Sequence, residues 1–195
     1  LLPPERQGLF VALAAFPGGF DPPAAAAVWD IEQDLPTGQA GPAEEALSEL
    51  VSASLVEWDS TTERYRLHDL VRDFAGARLA PEGRALAQRR HAGHYLNVAA
   101  ACNALYLQGH EAVAPALARF DLEWGNIQAG QAWAAAHAGE DDGAAELCMR
   151  YPDAGVYCLD LRLHPRERVG WLEAALAAAW RLKRRDAEGA DLGNL

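Results

Sequence analysis

Apolar residues recur at helical spacing three times in the first 54 residues, and helix-breaking residues separate the three runs. The sequence PGG ends the first run, and Asp21 followed by Pro22 suits the cap and first turn of a second, alanine-rich run that ends near Asp30. A loop, DLPTGQAG, precedes the third run, which starts at Pro42. Three short helices are therefore predicted, with these apolar faces: Leu9, Phe10, Leu13 and Phe16 in the first, and Leu47, Leu50 and Val51 in the third.

The period changes from helical to alternating after residue 54, and then returns to helical. The stretch LVEW, the polar turn DSTTE and the stretch RYRL predict a β-hairpin, with Tyr65 and Leu67 on one face and Arg64 and Arg66 on the other. The following HDLVRDFAGARL predicts a fourth helix. Three helices, a hairpin and a helix within residues 1–80 predict a winged-helix domain.

Only helical patterns follow residue 81. One long helix is predicted over residues 82–107, and two further helices are predicted from apolar positions between residues 117 and 134. The stretch HAGEDD predicts a capped turn, and more helices follow, the last of them in DAEGADLGNL. The whole chain is thus expected to be mainly α, with an antiparallel helical array after the winged helix.

Charge and composition narrow the classes of function. The net charge is −11, and residues 1–80 carry 5 basic against 13 acidic side chains, which disfavours binding of a phosphate backbone by that part. Three widely spaced cysteines in helical sequence indicate reduced core thiols and a cytoplasmic protein. No membrane span or signal peptide is predicted, and the chain is expected to be a segment of a longer protein.

His68 and Asp69 stand where the second predicted strand meets the fourth helix. Unpaired N–H groups and the dipole make such a helix start attractive to anions, and a neutral His68 could donate one N–H to a phosphate oxygen. Asp69 is interpreted as the helix cap and orienter rather than a ligand, because a carboxylate repels phosphate. The alternative is that His68 merely flanks a cap.

Other candidate chemistry finds little support in the sequence. A phosphate-binding loop needs a lysine after its glycines, and the only lysine is Lys183, so no catalytic residues are predicted and the chain is not expected to be an enzyme. His91 and His94 share a helix face with apolar residues and are interpreted as core or helix-contact histidines rather than metal ligands. The tryptophans at helical spacings are expected to be core or inter-helix contacts: Trp124, Trp133, Trp171 and Trp180.

Three stretches in the first 80 residues, LFVALAAFPGGFDPPAAAAVW, LSELVSASLVEW and RYRLHDLVRDFA, together resemble the winged-helix domain of STAND signalling ATPases, the NB-ARC group. FDLEWGNIQAGQAWA is similar to the helical linker that follows that domain in bacterial members, and RRDAEGADLGNL resembles the start of a tetratricopeptide repeat. The resemblance implies a winged helix over residues 1–80, a helical linker over 81–140 and a truncated, tetratricopeptide-like region over 141–195.

In that family a Met-His-Asp motif stands at the strand-to-helix step, and Leu67, His68 and Asp69 match it, with leucine in place of methionine at a position expected to serve packing. The resemblance implies that His68 reaches the β-phosphate of ADP and holds the parent protein closed. It places ADP or ATP in the parent protein only, with no cofactor for the isolated segment. The implied partners are an upstream nucleotide-binding domain, downstream repeats and an activating ligand or protein, and the parent would oligomerise on activation.

Three functions compete. The first is a regulatory and scaffold segment in which ADP favours a closed state. The second is a winged-helix DNA-binding transcription regulator, disfavoured for this segment because the predicted third helix carries Glu44, Glu45 and Glu49 and no basic residue. A DNA-binding domain elsewhere in the parent protein stays open. The third is a helical-repeat adaptor that binds peptides. The first is preferred, with neither nucleic acid nor membrane as a partner.

Overall fold

The computed structural model describes residues 2–31 and 41–184, and it is mainly helical with one two-stranded sheet in these ranges. The expectation of a mainly α fold is confirmed. The chain divides into two compact units, Leu1–His94 and Tyr95–Leu195. The predicted domain bounds at residues 80 and 140 stay predictions. Most of the DLPTGQAG loop and the last predicted helix lie outside the described residues.

The first unit contains short helices and the sheet. Asp21 caps α2 (Pro22–Trp29), as predicted, because its Oδ1 accepts a hydrogen bond from the Ala24 N–H at 2.9 Å. At the start of α3 (Pro42–Ser52) the Glu44 carboxylate accepts from the Gly41 N–H at 3.0 Å. The elements of this unit are α1 (Pro4–Ala12) with a 3₁₀ turn (Leu13–Ala15), α2 (Pro22–Trp29), α3 (Pro42–Ser52), β1 (Glu57–Asp59), β2 (Arg64–Arg66), α4 (Asp69–Arg78) and the first part of α5 (Pro81–Tyr106).

The predicted hairpin is present, and its strands pair antiparallel with Trp58 opposite Tyr65. Its two arginines differ, since Arg66 is exposed whereas Arg64 is buried. The Arg64 guanidinium donates to the Gly19 carbonyl at 3.0 Å and lies 3.6 Å from the Asp21 carboxylate. The buried Arg64 side chain therefore links the hairpin to the chain before α2.

Aromatic side chains form the centre of the first unit. Phe16 and Phe20 stack at 4.3 Å between ring centroids, and His91 meets Phe16 edge-on at 5.1 Å. His91 is only 3% exposed. The interpretation of His91 as a core histidine is confirmed.

The second unit is helical throughout its described residues. The predicted pair of helices between residues 117 and 134 is wrong: a single helix, α6 (Val113–His137), covers the region, because Gly125 and Gly130 do not interrupt its hydrogen bonding. Asp141 caps the next helix, α7 (Asp142–Ala154), as predicted from HAGEDD, and accepts from the Ala144 N–H at 2.9 Å. The elements are the rest of α5, a 3₁₀ turn (His110–Ala112), α6 (Val113–His137), α7 (Asp142–Ala154), α8 (Val156–Arg162) and α9 (Pro165–Leu182).

Aromatic contacts join the helices of the second unit. Trp171 of α9 stacks on Trp124 of α6 at 6.0 Å and meets the buried Tyr151 of α7 edge-on at 6.1 Å. Trp180 departs from the expected core role, because it is 57% exposed. The three cysteines, Cys102, Cys148 and Cys158, are buried free thiols, as predicted.

No helix among the described residues has both the length and the apolar composition needed to cross a bilayer.

Candidate functional site

The start of α4 is the place where the sequence predicted a phosphate contact. His68 follows β2 with extended backbone (φ −60°, ψ 144°), and its Nδ1 accepts a hydrogen bond from the Leu70 N–H at 3.4 Å. A neutral imidazole that accepts through Nδ1 carries its proton on Nε2. His68 is exposed, so this Nε2–H is available to a partner outside the first unit.

Asp69 does not cap α4. It is the first helical residue, and its carboxylate pairs with Arg72 at 3.0 Å while remaining 80% exposed. The predicted cap is wrong by one residue because the extended conformation, which turns a side chain back onto the helix start, falls at His68. The role of either residue toward a phosphate stays a prediction.

Arg72 connects the start of α4 to Pro17, which follows the 3₁₀ turn after α1. Its Nη1 donates to the Pro17 carbonyl at 3.1 Å, and its Nη2 makes the ion pair with Asp69. The local charge therefore alternates, with an acid beside the histidine and a cation one turn later. This arrangement can donate hydrogen bonds to an anion, but it holds no nucleophile beside a base.

Leu67 precedes the histidine and is 7% exposed. The expectation that this position serves packing is confirmed. The pattern of one buried apolar residue followed by two exposed polar ones places His68 and Asp69 at the surface. The buried Leu67 side chain thus fixes the connection between β2 and α4, where His68 and Asp69 lie.

The surface of α3 is acidic, as predicted. Glu44, Glu45 and Glu49 are exposed, and no basic residue lies on the helix. Arg6 of α1 forms a 2.6 Å ion pair with Glu49, and this hydrogen bond lowers the pKa of the Glu49 carboxyl. At the hairpin turn the Thr61 N–H donates to Asp59 and lowers the pKa of that carboxyl. Each hydrogen bond stabilises the charged form of its carboxylate.

The last third of the first unit has the opposite charge balance. Residues 64–94 hold seven arginines and three acidic residues. Several of these arginines are already engaged, as Arg66 is with Glu57 at 2.8 Å and Arg90 is with Asp30 at 2.6 Å. Of these, residues 64–80 hold four arginines and two acidic residues, an excess of cations that the net charge of residues 1–80 conceals.

No group of three or more histidine, cysteine or acidic side chains within residues 2–31 and 41–184 is arranged to hold a metal ion. His91 is committed to the aromatic core described above.

Three mycobacterial proteins are similar to this chain. One is from Mycobacterium bovis and two are from strains of Mycobacterium tuberculosis; each is provisionally named as an HTH-type transcriptional regulator and is 32% identical over 181 residues. The match covers 90% of this chain but only 19% of each relative's length. No protein-family model matches the chain, and no solved structure does.

The similarity requires one correction. A transcriptional regulator acts through nucleic acid, so the names of these relatives overturn the prediction that nucleic acid is not a partner. That prediction was drawn from the acidic charge of residues 1–80. The whole matched region makes up only 19% of each relative, so the charge of residues 1–80 describes a small part of such a protein.

Proposed function

We propose that this chain is a regulatory segment of a multidomain HTH-type transcriptional regulator. The observation that carries the proposal is the 32% identity to proteins of that name over 90% of the chain. Because the chain spans only 19% of their length, its role is that of one module among several. Nucleic acid is then a partner of the parent protein.

The order of elements supports a winged helix in the first unit. Helices α1, α2 and α3 precede the β1–β2 hairpin, and α4 follows it. An antiparallel β-bridge between Phe20 and Tyr65 pairs the chain before α2 with the hairpin. Such a bridge holds the hairpin, which would be the wing, against the helices. In the second unit, the packing of α7 against α6 and α9 supports a tetratricopeptide-like array.

The charge of α3 argues that this helix is not the element that reads DNA. A helix in the major groove lies between two rows of phosphates, and three exposed glutamates would be repelled there. We therefore assign the reading helix to another part of the parent protein, and we assign control of that DNA binding to this segment.

The test uses the full-length regulator and DNA from its own promoter region in a gel-shift assay. Glu45→Ala and Ser48→Ala alter exposed positions of α3 outside its cap, and both are expected to leave DNA affinity within about twofold of wild type. A change of tenfold or more in either direction would move the DNA contact onto α3. A full-length protein that binds no promoter DNA would refute the role in transcription.

A second candidate function is nucleotide sensing by a parent of the STAND type. The observation that favours it is the His68 ring, whose Nδ1 is occupied by the Leu70 N–H and whose Nε2–H is left for an acceptor outside the unit. ADP bridged to His68 would favour the closed state of the parent, and exchange for ATP would release it.

The His68→Ala variant of the full-length protein tests this function. Lower retained ADP after purification and higher basal transcriptional output are expected. His164→Ala is the matched control, because His164 caps α9 in the same way, with Nδ1 accepting from the Arg166 N–H at 3.2 Å. Unchanged nucleotide occupancy in His68→Ala, or an equal loss in His164→Ala, would count against the sensor.

A further inference from the structure

A cleft of about 340 Å³ lies within the first unit, between the 3₁₀ turn, the second half of α4 and the start of α5. Small side chains create this space. A Cβ added to Gly76 would lie 3.7 Å from the Cβ of Ala14, so these positions bring α4 close to the turn without filling the cleft. His68 does not line it.

Two arginines from different elements line the cleft. Arg72 is held by the Pro17 carbonyl and by Asp69, as described above, and Arg84 donates to the Gly76 carbonyl. These contacts orient both side chains. Because each guanidinium carries five N–H groups, donors remain for a ligand. Oriented guanidinium groups match the geometry of a carboxylate.

Two other polar side chains, Asp73 and Gln88, complete the lining. Within residues 2–31 and 41–184, neither makes a side-chain hydrogen bond or an ion pair. A carboxylate can only accept hydrogen bonds, so the Asp73 side chain repels a bare anion but favours a ligand that also carries a donor. The lining therefore combines cationic donors with one anionic acceptor.

We propose that this cleft binds a small organic acid that carries a hydroxyl or amino group beside its carboxylate. The carboxylate meets Arg72 and Arg84, and the hydroxyl or amino group donates to Asp73. A volume of about 340 Å³ is at the small end of the range for ligand sites, which fits a molecule of this size. The proposal goes beyond a role in transcription and does not depend on it, since binding is measured on this chain alone.

Malate and succinate form a matched pair of probes, because they have the same carbon chain and only malate has a hydroxyl. Each is titrated into the 195-residue chain at constant ionic strength, and backbone amide shifts are followed by NMR. Saturable shifts at Ala14, Gly76 and Ala77 are expected with malate, with a dissociation constant on the order of 1 mM because the site is open to solvent. Succinate is expected to bind at least about fivefold more weakly, since it lacks a donor for Asp73.

Variants separate specific binding from general charge attraction. Arg84→Gln and Gln88→Glu are each expected to weaken malate binding by about tenfold or more, and Asp73→Ala should abolish the preference for malate over succinate. Arg66→Gln removes an arginine outside the cleft and is expected to leave binding unchanged. Arg84 and Asp73 are exposed, so these substitutions should leave the fold intact, as circular dichroism checks.

Non-saturating shifts, shifts centred on other residues, or equal binding of malate by wild type and Arg84→Gln would each overturn the proposal. If Arg84→Gln fails to fold, Gln88→Glu decides in its place, because it adds a repelling charge at a partly exposed position.

Discussion

Asp21 combines two stabilising roles that substitution can separate. Its Oδ1 caps α2 by accepting from Ala24, and its Oδ2 lies 3.6 Å from Nη1 of the buried Arg64. The second contact fastens the hairpin beside the start of α2. Asp21→Ala removes both contacts, whereas Asp21→Asn keeps an oxygen for the cap and removes the charge.

The structure sets the expected magnitudes. Loss of an N-cap oxygen costs about 1 kcal/mol in the free energy of unfolding. The ion pair is worth less than a fully buried one, because the Asp21 side chain is 33% exposed, and we assign about 0.5 to 1 kcal/mol to it. Asp21→Asn should therefore cost about 0.5 to 1 kcal/mol, and Asp21→Ala about 1.5 to 2 kcal/mol.

Urea unfolding at 25 °C, followed by circular dichroism, measures both values. Repeating the pair in an Arg64→Met background completes a double-mutant cycle. There the Asn substitution should cost almost nothing, whereas the Ala substitution should still cost about 1 kcal/mol. Equal destabilisation by Asn and Ala in wild type would refute the capping argument, and an unchanged Asn effect in the Arg64→Met background would refute the ion pair.

Three further predictions concern other parts of the chain. Burial raises the pKa of Cys102 to about 11, so this thiol should resist labelling at pH 8 in the folded chain and react in urea. Because the pKa is higher in the folded than in the unfolded chain, the stability that the protonated thiol contributes is lost as pH rises from about 9 towards 11. Trp171→Ala should cost about 2 to 4 kcal/mol in urea unfolding, since it removes contacts with Trp124 and Tyr151, whereas Trp180→Ser should change stability by less than about 0.5 kcal/mol; similar values for the two would contradict the packing described here. The isolated chain should show little ADP affinity by calorimetry, because one histidine and a few backbone donors contribute about 2 to 3 kcal/mol before the costs of association, and micromolar binding would overturn this expectation.

Local signals in the sequence predicted local structure well. The Asp21 and Pro22 pair marked the start of α2, and alternation around DSTTE marked the hairpin, because each signal and the hydrogen bonds it produces lie within a few residues. The cap of α4 was predicted at Asp69, whereas the structure has it at His68. Each of the two side chains can accept a hydrogen bond at a helix start, and the extended backbone of His68 decides between them.

Features that depend on distant residues were not predictable from periodicity. Alternation placed Arg64 on the hairpin face opposite Tyr65, but its burial depends on Gly19 and Asp21, more than 40 residues earlier. The cleft is a similar case, since Arg72 and Arg84 belong to different helices and form no recognisable spacing. A pattern within one element cannot report which side chains of another element it meets.

The overturned prediction about nucleic acid has a physical explanation in the range of electrostatic forces. Charges at the surface are screened over about 10 Å in ordinary salt, so the acidic α3 determines binding only at its own surface. A net charge summed over residues 1–80 also averages the acidic α3 with residues 64–80, which hold four arginines and two acidic residues. The negative charge is therefore an argument about α3 alone, and it is compatible with DNA binding elsewhere in a protein of which such a segment forms about a fifth.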